Sequence, residues 1–87
     1  MYSITFHPEW DLYFSKLDNS IQIKILKKIK KMQNLPPGRH LKKGIDYFVE
    51  EIGQYRVAYR LKSKNHKKIY FVGTHKDYEK WLGLRKA

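Results

Sequence analysis

The chemistry open to this 87-residue chain is bounded by what it contains and what it lacks. It has no cysteine, so thiolate nucleophiles, thiolate metal sites and disulfides are excluded. Its four histidines, His7, His40, His66 and His75, are the imidazoles open to general acid or base work. Arg56 offers a planar, permanently charged fork suited to a phosphate or carboxylate. Glu50 and Glu51 are the nearest carboxylates in a neighbouring apolar run. Each also has a plainer role. His7 falls on the polar side of a strand, and His40 and His66 sit in loop-like segments. His75 stands where a capped helix would begin, and a glutamate facing Arg56 could be a simple cross-strand ion pair.

Charge is the strongest bulk signal. Nineteen Lys and Arg against eight Asp and Glu leave a formal net charge of +11. So much like charge on a small chain repels itself, and a polyanionic partner is the natural explanation. Nucleic acid, a ribosome and an acidic protein all qualify; the bland alternative is a solvated, lysine-rich surface. Hydrophobic residues at 41% are too many for a disordered tail, and the length suits one domain over residues 1–87. No apolar run approaches the ~18–20 residues of a membrane span, and no signal-peptide pattern opens the chain. The expectation is a cytoplasmic protein with no membrane partner.

These residues must be held by a small set of elements. Tyr2, Ile4 and Phe6 alternate with Ser3, Thr5 and His7, the period of a half-buried strand. Pro8 suits a helix start, and Trp10, Tyr13, Phe14 and Leu17 then recur at helical spacing. Ser20 is placed to cap a second helix, in which Ile21, Ile25, Ile29 and Met32 lie within about 80° of one another at ~100° per residue. Lys24, Lys27, Lys28 and Lys31 gather on another side, and Ile23 falls off the apolar stripe. Pro36 and Pro37 end the helix near Asn34. The segment from Pro37 to Gly44 is a basic loop with Leu41 as its anchor. Residues 47–52 and 55–61 form two strands, residues 63–68 a polar turn, and residues 69–72 a last strand. Thr74, with Asp77 three residues on, resembles a capping box that opens a helix through Leu82. The order β-αα-βββ-α predicts an α+β fold, an antiparallel sheet packed on a helical hairpin.

A two-residue loop at Gly53-Gln54 sets the register of the central hairpin. Ile52 then faces Tyr55, Glu51 faces Arg56, and Phe48 faces Tyr59. Tyr55, Val57 and Tyr59 turn to the core, while Arg56, Ala58, Arg60 and Lys62 turn to the open side. Glu50 points to the core in this register. Because a lone buried carboxylate is costly, a bulge at Glu50-Glu51 is expected, which leaves open which glutamate faces the arginine.

The order of elements and several local motifs resemble the RelE/ParE superfamily of toxins from toxin–antitoxin pairs. The matching parts are the short first strand, the helical hairpin ending in lysines, and Arg39-His40-Leu41-Lys42-Lys43-Gly44. Gly53-Gln54-Tyr55-Arg56-Val57-Ala58-Tyr59 resembles the family's Tyr-Arg strand, and Gly73-Thr74-His75-Lys76-Asp77-Tyr78 resembles the Gly-Thr-His ending of one branch. The likeness covers roughly residues 2 to 82. It implies a RelE-like, microbial-ribonuclease-type fold and a ribosome-dependent endoribonuclease that cleaves messenger RNA. It also implies no metal, no cofactor, and silencing by a cognate acidic antitoxin.

Metal-free cleavage by the neighbouring 2′-hydroxyl needs a base, an acid and a cation on the phosphate. On the resemblance, Arg56 is the phosphate-binding arginine, His75 the acid or base, and Glu51 or Glu50 its partner. Lys42, Lys43, Arg60 and Lys76 would hold the RNA backbone, and Tyr78 or Trp81 would stack on a base. The plainer reading of Trp81 and Leu82 is core or antitoxin contact. The strand where RelE carries lysines holds Phe48, Val49, Glu50 and Glu51 here, which points to the Glu-Arg-His style of other branches. Two alternatives belong to other classes, a non-enzymatic gyrase poison of the ParE kind and a plain basic RNA-binding domain.

Overall fold

The computed structural model describes residues 1–40 and 47–86. Strand β1 (Ser3–Phe6) leads into α1 (Trp10–Phe14) and α2 (Asn19–Met32). Then come β2 (Arg39–His40), β3 (Phe48–Ile52), β4 (Tyr55–Ser63), β5 (His66–Thr74) and α3 (His75–Lys86). The strands form one sheet in the order β1-β5-β4-β3-β2. The expected α+β arrangement holds, with three differences.

The first is the pairing of β1. It adds to the sheet edge in parallel with β5, from Ser3 opposite His66 to Phe6 opposite Ile69, so the sheet is mixed. The two helices carry the chain from β1 to β2 at the far edge, and the strands β2 to β5 then return it beside β1. The second is the extent of the strands. The basic loop begins with a short strand, β2, and β5 starts at His66, leaving only Lys64-Asn65 as the turn after β4. Leu41, Lys42, Lys43 and Gly44 lie outside the described residues.

The third is the placement of α3. The α1–α2 hairpin covers one sheet face with a core of Trp10, Ile25, Ile29, Met32, Val57, Tyr59, Ile69 and Val72. The helix α3 covers the other face, where Tyr78 and Trp81 pack on Val49, Ala58, Tyr70 and Phe71. The reason lies in β5. Ala58 pairs with Phe71 and Tyr59 with Ile69, so Tyr70 is the extra residue of a bulge. Two consecutive aromatic rings thus reach the α3 side and give that helix an apolar seat.

The hairpin between β3 and β4 has the expected register, with Ile52 opposite Tyr55, Glu51 opposite Arg56 and Phe48 opposite Tyr59. Gly53 takes φ 58°, the left-handed conformation that glycine reaches without a steric cost. The expected bulge at Glu50-Glu51 is absent. Glu50 does face the hairpin side, but it is not alone. Lys28 lies 3.7 Å from its carboxylate and the Tyr59 hydroxyl donates to it at 3.5 Å. The same hydroxyl accepts from the Gly38 N–H at 2.7 Å, tying the segment after α2 to the sheet.

Helix α2 ends on an unexpected cap. Lys67, read as part of a polar turn, is fully buried, and its ammonium donates to the Met32 and Leu35 carbonyls at 2.8 Å each. A cation on the last carbonyls of a helix satisfies orphan acceptors and complements the helix dipole. At the other end Asp18, not Ser20, is the N-cap residue, without a side-chain cap bond. At α3 the Asp77 N–H donates to the Thr74 hydroxyl at 3.2 Å, one half of the expected capping box, and the helix runs to Lys86, past the expected end at Leu82.

Candidate functional site

Arg56 lies on β4 opposite Gly73 of β5. Its side chain is on the α3 face and only 15% exposed, so the side expected to be open is half closed. One guanidinium nitrogen, Nη1, donates to the carbonyls of Gly53 at 3.2 Å and Tyr55 at 3.1 Å. Nη2 faces the Glu51 carboxylate at 3.8 Å, while Nε is buried without a hydrogen-bond partner. The fork is therefore anchored at one nitrogen and loosely paired at another, which leaves donor capacity for an incoming anion. Opposite Arg56, Gly73 leaves room for the Phe71 ring, since a Cβ there would come within 2.6 Å of it.

His75 follows β5 directly. Its backbone N–H donates to the Gln54 carbonyl at 3.1 Å, which extends the β4–β5 ladder by one rung. With Gly73 opposite Arg56, His75 stands in the diagonal position, where backbones are about 7–8 Å apart. Glu51, on the far side of Arg56, completes a row of Glu51, Arg56 and His75 across three consecutive segments. His75 and Glu51 are both more than half exposed. The structure thus answers the choice between the two glutamates, since Glu50 is held on the other face by Lys28 and Tyr59.

One neighbour was missed. The Glu79 carboxylate lies 3.1 Å from Nε2 of His75, one helical turn on. The i,i+4 spacing of the two residues in a capped helix was the signal that could have revealed it. Lys76 is exposed beside His75. Arg60 sits farther along β4, its guanidinium over the rings of Tyr47 at 5.5 Å and Tyr70 at 6.0 Å. Lys42 and Lys43 fall outside the described residues.

Tyr78 does not belong to the exposed group. It is 4% exposed and packs against Phe71 and Trp81, so its ring is spent on the α3 core and is not offered to a base. Trp81, 3% exposed, has the core role that its plainer reading gave it. Among the described residues no group of three or more His, Asp or Glu is placed to hold a metal ion.

The fold is that of RelE-type toxins, an α+β class with a mixed sheet. Three solved structures illustrate the likeness. A RelBE toxin–antitoxin complex from Mycobacterium tuberculosis superposes with a TM-score of 0.72 at 20% identity, over 85% of this chain and 98% of that one. The isolated RelE toxin of E. coli gives 0.70 at 18% identity, over 95% and 97%. A RelB-RelE complex from Methanococcus jannaschii gives 0.71 at 15% identity, over 90% and 98%. No family model matches the sequence, and no curated protein matches it.

Proposed function

We propose that this chain is the toxin of a toxin–antitoxin pair and that it cuts messenger RNA on the ribosome. The observation that carries the reading is the row of Glu51, Arg56 and His75. The hairpin register and the His75–Gln54 bond fix it at one end of the sheet, on a fold shared with RelE-type toxins. In this arrangement Arg56 binds the non-bridging oxygens of the scissile phosphate and offsets the charge that builds in the transition state. Glu51 takes the proton of the neighbouring 2′-hydroxyl as its oxygen attacks phosphorus. The phosphorus–O5′ bond then breaks, and His75 gives its proton to the departing 5′ oxygen. Glu79 holds the His75 ring in place. No other co-reactant is needed, and the products are a 2′,3′-cyclic phosphate and a 5′-hydroxyl. The chain's +11 charge supports both partners of such a toxin, ribosomal RNA and an acidic antitoxin.

The test is induced expression in bacteria, with primer extension on a translated message and on the same message lacking its start codon. Growth arrest with cuts confined to the translated message is expected, and Arg56→Ala and His75→Ala should each relieve the arrest. Arrest without cuts, accompanied by a change in DNA supercoiling, would replace this reading with that of a gyrase poison.

A further inference from the structure

A second basic surface lies well away from Arg56 and His75. Along β4, Arg60 is four residues beyond Arg56, about 13 Å at ~3.3 Å per residue. Lys68 of β5 is paired directly opposite Arg60, so two cations share one rung of the ladder. The Lys68 ammonium lies 5.7 Å from the centre of the Tyr70 ring, and Arg60 lies over Tyr70 and Tyr47. The rings thus place both cations on the α3 side of the sheet. Lys62 and Lys64 continue to the exposed hairpin tip. The tip itself is fixed. The Ser3 N–H donates to the Asn65 carbonyl at 2.7 Å, and the Thr5 hydroxyl and His66 Nε2 are 2.6 Å apart.

The chemistry of the surface identifies its partner. Among the described residues, none of the exposed large apolar side chains, Met1, Phe6, Leu12, Ile23, Leu26 and Leu84, belongs to β4, β5 or their turn. Protein interfaces are built around apolar or aromatic anchors and are poor in lysine. A nucleic-acid backbone asks only for cations and hydrogen-bond donors. Lys62, Lys64 and Lys68 lie on a rigid, tethered hairpin, and no carboxylate of the described residues is paired with them. From these observations we infer that the outer half of the β4–β5 hairpin is a second RNA-backbone contact. It binds phosphates without regard to sequence and lies at least 13 Å along the strand from the proposed cleavage site, by the same ~3.3 Å rise.

This contact does not need the protein to be a nuclease, so the two can fail separately. The test is fluorescence anisotropy with a labelled RNA hairpin and a labelled single strand of unrelated sequence, across a salt series. The wild type, the triple variant Lys62→Gln/Lys64→Gln/Lys68→Gln and Arg56→Ala are compared, with circular dichroism confirming the fold of each. The triple variant should lose about tenfold or more in affinity for both RNAs, and its salt slope should fall by about 2 to 3. Arg56→Ala should change that slope by no more than about 1. Unchanged affinity and slope in a folded triple variant would overturn the inference, as would an equal loss toward poly-glutamate of matched charge. If the triple variant loses RNA while the wild type cuts no message, this surface stands and the nuclease reading falls.

Discussion

Four side chains show how far residue types alone determine roles. Arg56 and Glu51 were legible as a facing pair because the Gly53-Gln54 loop fixes the register on which both depend. Glu50 was legible as a core-facing carboxylate but not as a satisfied one, since Lys28 comes from a helix that no local pattern places beside it. Tyr59 was read as a core ring, and the structure adds a polar task at its tip. Burial, reinforced by the negative charge of Glu50, pushes its hydroxyl from 10.0 up to about 12, against the lowering effect of the Gly38 N–H bond. Between pH 10 and about 12 the folded chain thus keeps a proton that the unfolded chain releases. The stability Tyr59 contributes, full below pH 10, is lost as pH rises to about 12. Burial acts on Lys67 in the opposite sense and lowers its value. Its folded form releases a proton first, so its share of stability rises with pH up to 10.5. Urea unfolding of the wild type and Tyr59→Phe between pH 9 and 12 separates the two effects. The wild type should lose stability more steeply than the variant, and parallel curves would mean that Tyr59 keeps no proton back.

Elements were more legible than the way they assemble. The α2 stripe was clear because Ile25, Ile29 and Met32 recur at helical spacing, and all three are buried. Ile23 is 49% exposed, as its position off the stripe implies. Ile25→Ala should therefore cost about 2–5 kcal/mol in urea or thermal unfolding, while Ile23→Ala should stay within about 0.5 kcal/mol. Similar losses at both sites would contradict the packing of this helix. By contrast, the parallel pairing of β1 left no trace in its alternating pattern, because alternation records burial and not strand direction. The seat of α3 was hidden for a related reason. The bulge at Tyr70 breaks the period-2 pattern that would have assigned Tyr70 and Phe71 to opposite faces. Lys67 was missed because lysine in a polar run is nearly always solvated, and only tertiary structure supplies the carbonyls that hold it.

On the scale of the whole molecule, the positive charge separates into surfaces of different character. The exposed side of α2 carries Lys24, Lys27 and Lys31 beside half-exposed Ile23 and Leu26. Lys28, expected in that row, is drawn toward Glu50. Cations interleaved with apolar side chains fit an acidic amphipathic helix, the form expected of an antitoxin. Calorimetry with the acidic product of an adjacent gene should show binding that weakens as salt rises. Ile23→Ala/Leu26→Ala should lower affinity about tenfold to a hundredfold at every salt concentration. No binding at low salt by a folded chain would remove the antitoxin from the account. The central claim concerns the α3 face of the sheet, where Arg56 of β4 and His75, the first residue of α3, stand diagonally across the end of the β4–β5 ladder. Its most direct measurement is single-turnover cleavage of a message programmed on purified ribosomes, with the new ends identified chemically. The wild type should leave a 2′,3′-cyclic phosphate. Arg56→Ala and His75→Ala should each slow the cut by about 10²–10⁴-fold, with unchanged circular dichroism. A wild type that leaves the message intact, or folded variants that cut as fast as it does, would contradict the assignment of this site.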